Sequence, residues 1–157
     1  MKKTCRFCWA LSALLIVAVA GMGYVFFNPG NLRQTDDGRT AIMLSADERN
    51  LVLAEMRGFL EGIETITMGI VDNDMQAIAQ SARKMGMAAA GQVPLTLMGK
   101  LPSEFRSLGM ATHQAFDALA VEAQDIGDGQ VILSGLGALI NNCTTCHRAY
   151  RIDVDTN

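Results

Sequence analysis

Within "NNCTTCHRAYR", residues 141–151, Cys143, Cys146 and His147 stand in five consecutive positions. On a helix, positions i, i+3 and i+4 share one face, with Cys143 and His147 about 40° apart. Whatever packs against that face has to accommodate a group that two sulfurs and an imidazole can hold together. Three arrangements compete: a covalently attached haem, a zinc ion, and a thiol–disulfide couple.

The residues before the motif read as helices. Ser45-Ala46-Asp47-Glu48 is a capping box, and apolar residues recur after it at Leu53, Met56, Leu60, Ile63 and Ile70 in steps of three, four and seven. This predicts a first helix to about Val71. "DND" at 72–74 breaks it and offers a new N-cap for a helix over Met75 to Ala90, which Gly91 ends. "QVPLTLMGKLP" is the longer loop. Pro102 then opens a helix through Phe105, Phe116, Leu119 and Ala123 to Ile126, with Gly127 as its stop. Asp128 caps the last helix, whose inward stripe is Ile132, Leu136, Leu139 or Ile140, Cys143, Cys146/His147 and Tyr150. Only 6% of the residues are aromatic although half are apolar, a balance that suits helix on helix rather than sheets. The expected fold is all-α: an antiparallel four-helix bundle over residues 42–157.

Residues 9–27, "WALSALLIVAVAGMGYVFF", carry no charge and follow Lys2, Lys3 and Arg6. At helical rise they span roughly 28 Å, close to the thickness of a bilayer core. The basic flank places the N-terminus on the cytoplasmic side and exports the body. "AVA" at 18–20 would suit a cleavable signal, but the run stays apolar through Tyr24, Val25, Phe26 and Phe27. The expectation is an uncleaved transmembrane helix over residues 1–27, single-pass in the cytoplasmic (inner) membrane of a bacterium, with the body in the periplasm. Residues 28–41 lack periodicity and read as a linker. The earlier cysteine pair, Cys5 and Cys8, has no histidine beside it and reads as incidental thiols. Removing the three N-terminal cations from 13 leaves 10 basic against 16 acidic side chains, a net −6 for the rest of the chain. That balance argues against nucleic acid as a partner.

Export and helix separate the three candidates for the motif. Zinc wants four ligands, usually in two separated pairs; the body adds only the distant His113, and adjacent Cys146 and His147 crowd one tetrahedral ion. A thiol–disulfide couple normally opens a helix after a strand, and no strand precedes this motif. Two thioether bonds from Cys143 and Cys146 to haem vinyl groups, with His147 directed at the iron, satisfy the spacing.

Residues 42–152 thereby resemble the class II c-type cytochromes, the cytochromes c′ and their low-spin relatives. The resemblance rests on the helical body and on "CTTCHRAYR" late in the last helix. It implies one covalent haem c on that helix, with His147 as proximal axial ligand and the first bundle helix facing the other side of the iron. There Met56 is the candidate sixth ligand, and Leu53, one turn earlier, is the apolar alternative that would leave the iron five-coordinate. Arg151 and Arg49 are candidates to pair with haem propionates; His113 is expected to be satisfied by a hydrogen bond.

The function this implies is electron transport rather than enzymatic catalysis: a membrane-tethered, periplasmic one-electron carrier serving membrane and periplasmic redox proteins. A five-coordinate protein that binds NO or CO is the alternative. Class II members often pair through their first two helices, so a homodimer is among the expected states.

Overall fold

The computed structural model describes residues 3–27 and 32–155, with the side chains of residues 8–24 and 32–155. Residues 28–31 of the expected linker, and the side chains of Lys2, Lys3, Cys5 and Arg6, lie outside the described residues. Helix α1 covers Lys3–Phe27. Among the described residues no helix is long and apolar enough to cross a membrane, so the expected transmembrane helix is not supported.

The all-α four-helix bundle is corrected as well, because the body carries a three-stranded sheet ordered β1-β2-β3. Strand β1, Leu32–Gln34, pairs antiparallel with β2, Thr40–Leu44, so residues read as linker belong to the folded body. The turn between them uses Gly38 at φ +81°, where a side chain would be strained. Strand β3, Tyr150–Val154, pairs in parallel with β2, placing Thr40 opposite Tyr150 and Leu44 opposite Val154. Everything between β2 and β3 is therefore a long crossover connection.

That connection is helical. Helix α2, Ala46–Asp72, starts at the Ser45–Glu48 capping box and ends at Asn73 in the left-handed region, φ 54°. The Asp74 side chain accepts from Ala77 N and caps α3, Met75–Met85. The helix expected to run on to Ala90 breaks at Gly86, and α4 covers only Met87–Ala90. The reason is a contact from a distant part of the chain: Asp117 accepts from Met87 N at 2.9 Å, and a Cβ on residue 86 would collide with that carboxylate. A single helical turn, α5, follows at Leu95–Met98. Helix α6, Ser103–Asp125, and helix α7, Gly129–Ala149 with its Asp128 cap, complete the body.

Two apolar clusters hold these elements. Ile66, Ile78, Phe116, Leu119, Ile132 and Leu136 join α2, α3, α6 and α7. Ile42, Leu44, Val52, Leu97, Leu101 and Phe105 join the sheet to α2, α5 and α6. Cys143 packs on the first cluster, while Cys146 and Met56 pack on the second. The cysteine–histidine motif thus lies at the seam between the two cores.

Candidate functional site

Cys143, Cys146 and His147 lie in the last two turns of α7, just before the chain turns into β3. Both cysteines are half-buried free thiols. Burial pushes the Cys143 thiol up, and pushes Cys146 to about 11, with the neighbouring Cys143 adding to the effect. Thiols held protonated in this way are poor nucleophiles, which speaks against a reactive thiol–disulfide couple. Among the described residues, no three or more His, Cys, Asp or Glu side chains are grouped to hold a bare metal ion.

All three motif residues line a cavity of about 570 Å³ between α2, α6 and α7. That volume lies within the roughly 300–1,000 Å³ of organic cofactor pockets. Opposite α7, helix α2 contributes Leu53, Met56, Leu60 and Ile63. The apolar periodicity of α2 therefore marks the cavity wall, while its buried core face is Val52, Gly62, Ile66 and Gly69. The small residues matter here: a Cβ on Gly62 would meet Met85 Cγ at 2.9 Å, so α2 and α3 pack backbone-close. The donor set suits a haem: two thiols at the attachment spacing, an imidazole in the next residue, a thioether on the facing helix and apolar walls between them.

A second chamber of about 170 Å³ adjoins the first, and Leu53, Met56, Phe105, Cys146 and His147 line both. Its remaining wall comes from the sheet side: Arg39, Tyr150, Arg151 and Ile152. Of the two arginines expected near propionates, Arg151 is at this chamber and Arg49 lines neither cavity. Arg39 lines the chamber beside Arg151. The sequence carried a signal for it in Asp37-Gly38, a hairpin dipeptide that turns the chain back and presents Arg39. Tyr150 donates its hydroxyl to Glu104 at 2.9 Å and meets Phe105 edge-on. Burial, then the Glu104 bond, pushes its phenol up to about 12.

His113 is buried in the far wall of the large cavity. Its Nδ1 lies 2.7 Å from the Met85 carbonyl, which can only accept, so Nδ1 carries the hydrogen. Nε2 lies 3.4 Å from Glu55 Oε1, and Phe59 packs edge-on against the ring. With both nitrogens engaged, His113 offers no free ligand to a metal. Burial works against its charged form, but the Glu55 carboxylate and the Met85 carbonyl outweigh it and raise the pKa above the ordinary 6.5. A histidine raised on folding stabilises the native state fully below the unfolded value, and the gain disappears as pH rises through the native one. The urea midpoint is accordingly expected to fall as pH rises through and above the ordinary histidine range. Glu55→Gln should flatten that decline, and an equally steep decline in the variant would show that another group titrates.

Comparison with protein-family models, with curated proteins and with solved structures finds no match to this chain.

Proposed function

We propose that the chain is a monohaem c-type cytochrome acting as a one-electron carrier in an exported compartment. The observation carrying this reading is the large cavity: Cys143, Cys146 and His147 on one wall, Met56 on the facing helix and apolar side chains between. Cys143 and Cys146 would hold the haem by two thioether bonds, each thiol S–H adding across one vinyl C=C. His147 would offer an imidazole nitrogen to the iron and Met56, on the facing helix, a thioether. When bound, the haem supplies a one-electron couple at its iron. The protein's own part would be to line the haem with Leu53, Phe59 and Ile63 and to hold His147 and Met56 in place, which would keep reorganisation on electron transfer small. The uncharged run after Lys2, Lys3 and Arg6 supports export, and its partners are redox proteins of the same compartment.

One observation favours a second reading, a five-coordinate protein binding NO or CO: Leu53 lines both chambers just as Met56 does. The first test precedes that choice. Protein made with a c-type maturation system should carry the mass of one haem per chain through denaturation. Cys143→Ala/Cys146→Ala should carry none. Wild-type protein without covalent haem under those conditions would end the cytochrome reading in both forms.

A further inference from the structure

The small chamber has a charge pattern that the large one lacks. Arg39 and Arg151 line it, whereas the carboxylates that pair with them, Asp37 and Asp153, do not. Asp37 Oδ2 lies 2.9 Å from Arg39 Nε and 2.5 Å from its Nη2, and 3.5 Å from Arg151 Nη1. Asp153 Oδ1 accepts from Arg151 Nε at 3.0 Å. Each guanidinium has five N–H donors in a planar fork, so both keep donors beyond those that the carboxylates engage. The bond from Arg39 holds the Asp37 carboxyl well below the usual range, which keeps the pair ionised across the physiological pH range. The sheet brings the clamp together: Ala41 pairs with Arg151, and Arg39 immediately precedes the same strand.

We propose that this chamber is a carboxylate site, with Arg39 and Arg151 clamping the anion beside His147 and Asp37 positioning both guanidiniums. Planar forks match carboxylate geometry through paired N–H···O bonds. The chamber shares Leu53, Met56 and Phe105 with the apolar cavity beside it, so its natural occupant is the acidic edge of a molecule whose body is apolar. Two sources have that chemistry: a haem propionate, which rests on the cytochrome reading, and a free small carboxylate, which does not.

The test uses the haem-loaded protein, wild type against Arg39→Gln, Arg39→Lys and Asp37→Asn, with acetate as the probe anion. If a propionate occupies the site, Arg39→Gln lowers the midpoint potential, because the reduced haem loses a neighbouring cation. A roughly tenfold change in the redox equilibrium, about 59 mV for one electron, is expected. Arg39→Lys, which keeps the charge but not the fork, falls between wild type and Arg39→Gln, Asp37→Asn, which removes a neighbouring anion, raises the potential, and acetate leaves the wild-type spectrum unchanged. If a free anion occupies it, acetate shifts the wild-type spectrum saturably, and Arg39→Gln abolishes that shift. Should no covalent haem form, the unloaded chain still reports through amide NMR shifts of Arg39 and Arg151 during acetate titration. Variants with wild-type circular dichroism and unchanged potential, together with no acetate response in loaded or unloaded protein, overturn the proposal.

Discussion

Phe116→Ala is expected to cost about 3–5 kcal/mol, the range for truncating a fully buried phenylalanine. Phe116 has no exposed surface and sits where α2, α3, α6 and α7 converge. Its ring stacks on Phe59 at 5.5 Å, and the backbone of Gly62 comes close enough that a Cβ there would lie 3.8 Å from the ring. Helices packed that tightly do not collapse into the space left by six missing ring carbons and their hydrogens, so the cavity term is largely retained. Against a domain stability of about 5–15 kcal/mol, such a loss leaves little margin. Leu133→Ala, at a position on α7 that is 47% exposed, is the control and should cost well under 1 kcal/mol. Urea denaturation of both variants reads the difference. A Phe116→Ala loss near that of the control would mean that the helices rearrange freely around this point.

The parts of the fold legible in the sequence are those with a local physical cause. Ser45 and Glu48 satisfy each other's backbone donors, and the structure has that box. Asp74 and Asp128 cap the helices they precede, and Gly127 takes the left-handed conformation expected at a helix stop, φ +67°. The sheet was not legible, because its strands are three and five residues long and β2, "TAIML", shows no alternation. Ala41, Ile42 and Leu44 are all buried, so the strand reads as a short apolar run. Its pairing with β3 depends on residues at the far end of the body, a contact that no local window contains. The break at Gly86 is non-local too, since Asp117 on α6 imposes it. In the site, the spacing of Cys143, Cys146 and His147 was fully written in the sequence. Arg39 was legible only as the exit of an Asp37-Gly38 turn; its place beside Arg151 follows from the parallel pairing of β2, which begins at the next residue, with β3.

Met56→Leu decides how the iron is used on the cytochrome reading, and the expected effect is complete rather than graded. Leucine keeps nearly the same volume, so packing of residue 56 against the second core changes by less than about 1.5 kcal/mol. What it removes is the thioether sulfur. With Met56 as sixth ligand, the reduced wild-type protein is low-spin and its visible spectrum ignores carbon monoxide. Met56→Leu then turns high-spin throughout the sample and shifts at once when the gas is added. Leu53→Met is the informative partner, because residue 53 lines the same two chambers one turn away. In the five-coordinate reading, wild type already responds to carbon monoxide, Met56→Leu changes nothing, and Leu53→Met is the variant that closes the iron. A low-spin spectrum surviving in Met56→Leu would require another strong ligand, and His113 is poorly placed to become one. Recruiting its Nδ1 would forfeit the 2.7 Å bond to the Met85 carbonyl, at a cost of about 1–3 kcal/mol before any bond to iron forms. Recruiting Nε2 would break its contact with the Glu55 carboxylate.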